Sequence, residues 1–178
     1  EPGQQVPVAF HQVRESQLES ETLSRLLPTG LAEILRRDGA RVGESERLEV
    51  TVLMSDVRGY SAIAEQRDSM SLAAQLNTHR REMNRVIIGQ GGTVMQYVGD
   101  AVMTVFGAPV ARADHADDAL AAALAMHVAQ QRINEVWVSE GLPAFGLGIG
   151  LSTGRVAAAL LGSDERIEYT LVGDTVNL

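Results

Sequence analysis

The chain has 178 residues, 45% of them hydrophobic, which supports one domain, or one domain with an appendage, around a sizeable core. Its formal net charge of −8 argues against a nucleic-acid backbone or an anionic membrane as the main partner. Cysteine is absent, which excludes disulfides, thiolate chemistry and thiolate metal sites. Because no apolar run approaches a membrane span and residues 1–5 are unlike a signal peptide, we expect a cytoplasmic protein, with a membrane anchor upstream of this sequence left open.

Residues 1–47 are expected to form a segment of their own ahead of the main domain. Six aliphatic residues at helical spacing, interrupted by Pro28, predict two short helices or one kinked helix: Leu23, Leu26, Leu27, Leu31, Ile34 and Leu35. The charged, glycine-bearing stretch 38–47 is typical of a linker. Two interpretations of the helical stretch stay open: it packs on its own domain, or it forms a dimer seam or relays a signal.

A regular alternation of strands and helices begins at Leu48. Gly91-Gly92 stops the first long helix, and Gly99-Asp100 joins two strands so tightly that they form a hairpin. Asp174 resembles an N-cap, with residues 175–178 as the first turn of a further helix. In chain order we predict a strand over 48–55 that ends at Asp56, a helix over about 70–89, strands over 93–98 and 101–106, a helix over about 113–139, and strands within 145–162 and 165–173.

This order, β-α-β-β-α-β with a further β-hairpin, indicates an α+β sandwich of the split βαβ type. Its helices are expected to cover one face of a mainly antiparallel sheet. Four glycines at even-numbered positions leave one face of a predicted strand bare, which permits close approach of another backbone or a substrate: Gly146, Gly148, Gly150 and Gly154. They do not form the G-x-G-x-x-G pattern, so the dinucleotide fingerprint is absent.

Two aspartates lie near the ends of predicted strands. Asp56 and Asp100 each adjoin an apolar run and sit beside a turn glycine, where an unpaired negative charge is costly to bury. A shared divalent cation removes that cost. Hard cations such as Mg²⁺ take carboxylate oxygens and keep open positions for substrate phosphates. The pair therefore points to nucleotide chemistry, and the alternative is two unrelated carboxylates in strand-end turns.

Four segments resemble, in order and spacing, the catalytic domain of the class III adenylyl and guanylyl cyclases: VTVLMSDVRGYS, GGTVMQYVGDAVMTVFG, GIGLSTGRV and YTLVGDTVNL. The resemblance covers about residues 48–178, which we expect to be a catalytic domain that is incomplete at its C-terminal end. It implies a ferredoxin-like palm fold and a head-to-tail homodimer. It also implies conversion of a nucleoside triphosphate to its 3′,5′-cyclic monophosphate with release of pyrophosphate.

By this resemblance Asp56 and Asp100 match the two metal-binding aspartates, and the carbonyl of Val57 is a further metal ligand. Two Mg²⁺ or Mn²⁺ ions are implied. One lowers the pKa of the ribose 3′-hydroxyl for attack on the α-phosphate, and the other neutralises the triphosphate and the leaving pyrophosphate. The stretch Val57-Arg58-Gly59-Tyr60-Ser61 matches the turn whose backbone amides face the phosphates, where Gly59 allows close approach of the backbone.

The two positions that select the base match Gln96 and Thr170. Adenylyl cyclases usually carry Lys and guanylyl cyclases Glu at the first position, so Gln96 departs from both, whereas Thr170 matches a bacterial subgroup of adenylyl cyclases. A Gln amide can donate to adenine N1 or accept from guanine N1–H, and a Thr hydroxyl can serve either base. Chemistry alone therefore leaves the base open, and the resemblance favours ATP over GTP.

Asn177 matches the asparagine that orients the ribose. In the family an arginine one helical turn later, at position 181 here, stabilises charge on the transferring phosphoryl group, and the sequence stops at Leu178. Taken alone, Asn177 is also a common polar residue for the first turn of a helix.

The leading hypothesis is a homodimeric class III adenylate cyclase, with Asp56 and Asp100 from one protomer and Gln96, Thr170 and Asn177 from the other. One alternative is a guanylyl cyclase. Another is a weakly active cyclase-like module that binds nucleotide and relays a signal, which Gln96 favours slightly and the retained aspartates oppose. A diguanylate-type cyclase needs a GG(D/E)EF-like loop, and the sequence has none.

The histidines are not assigned to the site. His79 and His127 lie within helical patterns and are predicted to be packed or solvated. His115 lies at a helix start among acidic residues that complement the helix dipole, and the alternative there is a second metal site with Asp114, Asp117 and Asp118.

Overall fold

The computed structural model describes Leu31, residues 45–162 and residues 167–177. Leu31 is helical and buried, and the rest of the predicted N-terminal helical stretch lies outside the described residues. Within the described ranges, no helix is long and apolar enough to cross a membrane. The elements are, in chain order, β1 (Ser45–Arg58), α1 (Tyr60–Glu65), α2 (Ser69–Gly89), β2 (Thr93–Val98), β3 (Ala101–Phe106), α3 (His115–Ser139), β4 (Gly146–Gly162), β5 (Ile167–Val172) and a 3₁₀-helix (Asp174–Val176).

The five strands form one sheet in the order β2-β3-β1-β4-β5, and each neighbouring pair is antiparallel. The longest ladder joins β1 to β4, from Ser45 opposite Ala159 to Arg58 opposite Gly146. A tight connection joins β2 to β3 through Gly99, whose left-handed φ of 59° suits such a hairpin. The predicted α+β fold, with a βαββαβ order and a further strand at the edge, is confirmed.

The long helices α2 and α3 cover one face of the sheet. Because side chains alternate along a strand, Leu53 of β1 points towards the helices while Val52 points away from them. Leu53 is fully buried in a cluster with Met83 and Ile87 of α2 and Met126 of α3. Each such side chain stabilises the fold by about 1.5–3 kcal/mol, so this layer fixes the strands whose ends carry the predicted aspartates.

The other face of the sheet, here called the second face, is buried only in part. Val50 and Val52 of β1 pack there with Val156 of β4 and Leu171 of β5. Farther along β1 on the same face, Asp56 is exposed. The second face is therefore closed at the middle of β1 and open near its end, where the predicted site lies.

β1 is longer than predicted. It runs through Asp56 to Arg58, because β4 pairs with it as far as Gly146 and so continues the ladder beyond the apolar run. α1 has no counterpart among the predicted elements, since its six residues are too few to show a helical period.

The end of the described chain also differs from the prediction. Asp174 is not an N-cap but the first residue of the 3₁₀-helix, and the residue before it, Gly173, has no side chain to cap the helix. The chain instead closes two tight turns, in which the amide of Val176 donates to the Gly173 carbonyl and the amide of Asn177 donates to the Asp174 carbonyl, each over 3.1 Å.

Candidate active site

Asp56 lies near the end of β1 on the second face, opposite Gly148 of β4. Its side chain is 53% exposed, and its Oδ1 lies 3.7 Å from Nε of Arg58, which is 71% exposed. An ion pair between such exposed groups contributes only about 0–1 kcal/mol. The Asp56 carboxylate can therefore exchange Arg58 for a bound cation at little cost.

Gly148 leaves the space that this carboxylate occupies. A Cβ atom at Gly148 would lie 2.4 Å from Oδ1 of Asp56 and 2.4 Å from Nε of Arg58, too close for either group to stay in place. At this position the bare strand face predicted from the glycine pattern accommodates two charged side chains of the same chain.

Asp100 lies at the tip of the β2–β3 hairpin and reaches back to β1. The backbone N–H of Val57 donates to its Oδ2 over 2.9 Å. Continuing the β1–β3 register by two residues from the pair Ser55 and Val102 puts Asp100 opposite Val57, the residue next to Asp56. The two predicted metal ligands therefore lie where the end of β1 meets the start of β3.

The donor atoms at this place fit a hard divalent cation. Asp56 and Asp100 offer carboxylate oxygens and Val57 offers a backbone carbonyl, the ligand types that Mg²⁺ and Mn²⁺ prefer. Among the residues that the structure describes, no group of three or more His, Asp or Glu side chains is arranged to hold a metal. The two carboxylates would therefore need water or substrate oxygens to complete the coordination, as is usual for Mg²⁺ at phosphates.

The stretch predicted to form a phosphate-facing turn is shorter than expected. Val57 and Arg58 still belong to β1, Tyr60 and Ser61 already belong to α1, and the turn is Gly59 alone, with a left-handed φ of 69°. The Val57 side chain is 4% exposed and packs on the helix side with Leu72, Trp137 and Phe145. Only the backbone of Val57 is thus available to a ligand.

The two residues predicted to select the base lie on opposite edges of the sheet. Gln96 is exposed on β2 opposite Met103, and its amide nitrogen lies 3.9 Å from the Met103 sulfur. Thr170 is half-buried on β5 opposite Ala159. Because β3, β1 and β4 lie between β2 and β5, a single chain does not bring the two residues onto neighbouring strands.

Asn177 is exposed directly after the 3₁₀-helix. That helix crosses β4 at Gly154, where an added Cβ atom would lie 2.5 Å from Oγ1 of Thr175. Gly154 and Gly148, which faces Asp56, are six residues apart on β4, or about 20 Å at a rise of ~3.3 Å per residue. Within one chain Thr175, two residues before the predicted ribose contact, and Asp56 therefore lie beside distant points of β4.

Arg80 of α2 also contacts the site, and the sequence prediction did not include it. Its Nη2 donates to the backbone carbonyl of Gly99, and its guanidinium carbon lies 4.8 Å from the ring centroid of Tyr97. The sequence held one signal: Arg80 follows Leu76 by four residues and precedes Met83 by three, so it interrupts the apolar face of α2. A charged side chain in such a place needs a partner.

Two of the three histidines that the structure describes form buried hydrogen bonds. His79 is fully buried on α2, with Nδ1 2.7 Å from Oε1 of Gln130, and burial lowers its pKa below the ordinary 6.5. His115 is buried with Nδ1 2.9 Å from Oγ1 of Thr51, so it does not join the neighbouring aspartates in a described metal cluster. His127 is exposed.

A family model described as the adenylate and guanylate cyclase catalytic domain matches residues 42–178 of this chain. The match takes in the whole sheet, the helices that pack on it and the two aspartates at the strand ends. The chain therefore belongs to this family, and its folded domain is a class III nucleotide cyclase domain.

The similar proteins include both adenylyl cyclases and guanylyl cyclases. Adenylate cyclase 1 of Rhizobium meliloti (strain 1021) is 34% identical over 132 residues, which make up 74% of this chain and 20% of that protein. The solved guanylyl cyclase Cya2 is 34% identical with a TM-score of 0.71, over 75% of this chain and 68% of that one. The solved adenylyl cyclase CyaB from P. aeruginosa is 31% identical with a TM-score of 0.72, over 75% and 70%. This chain thus spans a fifth of the length of the curated relative.

Proposed function

We propose that residues 48–178 form the catalytic unit of a homodimeric adenylate cyclase that acts in the cytoplasm, with residues 1–47 as a dimer or signal-relaying segment. The observation that carries this proposal is the hydrogen bond from the Val57 N–H to Oδ2 of Asp100. It supports a shared metal site, because it ties the hairpin carboxylate to the residue next to Asp56.

The reaction joins the ribose 3′-oxygen to the α-phosphorus and breaks the bond from that phosphorus to the bridging oxygen, so that pyrophosphate leaves. Asp56, Asp100 and the Val57 carbonyl would hold two Mg²⁺ or Mn²⁺ ions. When bound, these ions would lower the pKa of the 3′-hydroxyl and neutralise charge on the phosphates. Arg58, once released from Asp56, balances further phosphate charge, since guanidinium groups bind phosphate oxygens well.

The remaining roles follow from the backbone and from polar side chains. Gly59 allows the chain to approach the phosphates beside Tyr60 and Ser61, because it has no Cβ atom. Asn177 orients the ribose, so that the 3′-hydroxyl faces the α-phosphate. Gln96 and Thr170 bind the base through their amide and hydroxyl groups.

The separation of these residues supports a site shared between two protomers arranged head to tail. Gly154, which lies beside Thr175 two residues before Asn177, and Gly148, which faces Asp56, are about 20 Å apart along β4, whereas a ribose 3′-oxygen must contact the α-phosphate directly during cyclisation. This separation supports contributions of Asn177 and Asp56 to one site from different chains. In a two-fold dimer, the end of β1 of one protomer meets the 3₁₀-helix of its partner, and two equivalent sites result.

The preference for ATP rests on Thr170 and on similarity to bacterial adenylate cyclases. A guanylyl cyclase is the second candidate, because the similarity to the guanylyl cyclase Cya2 is as high and Gln96 can accept from guanine N1–H. A weakly active nucleotide-binding module is the third, and the paired aspartates oppose it.

The test is turnover of ATP and of GTP with Mn²⁺, measured as cyclic AMP and cyclic GMP by chromatography. The assay uses the full-length native protein. We expect cyclic AMP and pyrophosphate in equal amounts from ATP, and a lower kcat/KM for GTP. A higher kcat/KM for GTP would support the second candidate, and absence of both products with retained nucleotide binding would support the third.

A further inference from the structure

Arg80 connects α2 to the tip of the β2–β3 hairpin. Its Nη2 donates a hydrogen bond to the backbone carbonyl of Gly99, the residue directly before Asp100. Its guanidinium carbon lies 4.8 Å from the ring centroid of Tyr97, two residues before Gly99. One side chain of the helix layer therefore holds two points at the end of the hairpin.

The hairpin tip has little other packing on this side. Val98 is 55% exposed, and an added Cβ atom at Gly99 would meet no heavy atom within 4 Å. Gly99 also has a left-handed φ of 59°, and glycine is the residue type with the greatest backbone freedom. Apart from the pairing of Val98 with Ala101, Arg80 is therefore the described contact that restrains the Gly99 backbone on the helix side.

Asp100 is held from its other side by β1, through the 2.9 Å hydrogen bond from the Val57 N–H to Oδ2. The two contacts act on different parts of the residue. Arg80 restrains the backbone that carries Asp100, and Val57 restrains one oxygen of its carboxylate. Together they restrain both the backbone before Asp100 and one oxygen of its carboxylate.

We propose that Arg80 is a positioning residue for Asp100: by holding the hairpin tip, it presents the Asp100 carboxylate for metal binding. This inference rests on the proposed function, in which Asp100 holds a divalent ion. Arg80 acts through the backbone of Gly99 and not on the reacting atoms. A guanidinium suits this task, because its planar fork can donate to a carbonyl and stack on an aromatic ring at the same time.

The test compares Arg80→Met with Arg81→Met. Arg81 is the next residue on α2, and its exposed side chain pairs with Glu82 over 3.8 Å, so the second variant controls for the loss of a positive charge from this helix. Two quantities are measured: hydrogen exchange of the backbone amides 97–101 in the metal-free protein, and the Mn²⁺ concentration that gives half-maximal turnover at saturating ATP.

Arg80→Met should speed exchange at the hairpin tip and raise the half-saturating Mn²⁺ concentration about tenfold or more, the usual effect of removing a group that supports a metal ligand. Arg81→Met should change neither quantity. Arg80→Lys keeps the charge but not the planar fork that donates and stacks at once, so it should restore the Mn²⁺ affinity only in part, and a wild-type Mn²⁺ dependence in both variants would contradict the inference. If Arg80→Met does not fold, a wild-type Mn²⁺ dependence and wild-type exchange in Arg80→Lys would contradict it alone.

Wild-type exchange and wild-type Mn²⁺ dependence in Arg80→Met, together with an inactive Asp100→Ala, would overturn the inference and leave the proposed function standing. Full turnover by Asp100→Ala would overturn both, because Asp100 would then hold no essential ion. The two failures are thus distinguished by the Asp100 variant.

Discussion

The backbone N–H of Val57 and the carboxylate of Asp100 form a 2.9 Å hydrogen bond that joins the end of β1 to the tip of the β2–β3 hairpin. The bond uses only Oδ2 of Asp100, so Oδ1 stays available to another partner. Because Val57 directly follows Asp56, the same bond holds Asp100 against the residue next to Asp56. The contact to Asp100 thus comes from the backbone of β1 and not from a basic side chain.

The first prediction separates the charge of Asp100 from its hydrogen bond. Asp100→Asn keeps an oxygen that can accept from Val57 but removes the negative charge, so cyclisation should fall by about a thousandfold or more, since a lost metal contact costs several kcal/mol in the transition state. Asp56→Ala removes only an exposed ion pair with Arg58 and should have a similar effect on activity. Thermal unfolding should stay close to wild type in both. Wild-type turnover by either variant would contradict the metal site.

The second prediction concerns the space at Gly148. Gly148→Ala puts a Cβ atom 2.4 Å from Oδ1 of Asp56 and from Nε of Arg58, and both side chains can rotate away because they are exposed. The fold should therefore survive while the carboxylate is displaced, and the half-saturating Mn²⁺ concentration should rise about tenfold. Gly89→Ala, whose Cβ would meet nothing within 4 Å, is the matched control. Equal Mn²⁺ dependence in the two variants would show that Gly148 does not shape the site.

Much of the fold follows from local sequence signals. β2 and β3 begin and end at the predicted residues, because Gly99 supplies the left-handed φ that a two-residue hairpin needs. α2 begins one residue before the predicted start, with Asp68 as N-cap accepting from the Ser71 amide. The end of β1 was harder to predict, since Asp56 and Arg58 are charged and are held in the sheet by pairing with β4.

Local sequence signals predict less of the candidate site than of the fold. Asp56 and Asp100 can be singled out because carboxylates beside apolar strands are unusual. The contacts that organise them, from Val57 to Asp100 and from Arg80 to Gly99, join residues far apart in sequence, and no spacing rule predicts them. The placing of Gln96 and Thr170 on opposite edges likewise depends on strand order, which local patterns do not encode.

The third prediction concerns Gln96 and the choice of base. Gln96 is exposed, and its amide has only a long contact with the Met103 sulfur, so the side chain can reorient towards a base. Gln96→Lys should sharpen the preference for ATP, because an ammonium can donate to adenine N1 but cannot accept from guanine N1–H. The ratio of kcat/KM for ATP to that for GTP should rise about tenfold, the value of one to two kcal/mol of hydrogen bonding. An unchanged ratio would show that Gln96 does not contact the base.

The fourth prediction is a pH dependence of stability at His79. Burial is the main cause of its lowered pKa, ahead of the opposing hydrogen bond with Gln130 and the weaker charges of Arg80 and Asp100. Above the ordinary value of 6.5 the ring is neutral in both the folded and the unfolded chain, so it adds no pH dependence. Below 6.5 the unfolded chain takes up a proton that the folded chain does not, so stability falls as the pH falls towards the folded pKa.

His79→Gln removes this proton uptake while keeping a polar group that can bond to Gln130. Between about pH 7.5 and about pH 5.5, the free energy of unfolding should fall less in the variant than in the wild type. The difference between the two slopes is at most ~1.4 kcal/mol per pH unit, the value for one proton. His127→Gln, at an exposed position, should follow the wild type. Parallel pH profiles for all three proteins would mean that His79 titrates normally in the fold.

The last prediction tests whether the site is shared between protomers. Asp56→Ala and Asn177→Ala homodimers should each be nearly inactive, because every site in them lacks either a metal ligand or the ribose contact. After mixing and subunit exchange, a heterodimer has one site with both lesions and one site with neither. With random pairing half the dimers are mixed, so about a quarter of wild-type activity should return. Gly148, which faces Asp56, and Gly154, which lies beside Thr175 near Asn177, are about 20 Å apart along β4, and this separation leads us to expect the recovery. If activity stays absent although exchange is demonstrated by mass spectrometry, both residues serve the same site from one chain and the head-to-tail arrangement is wrong.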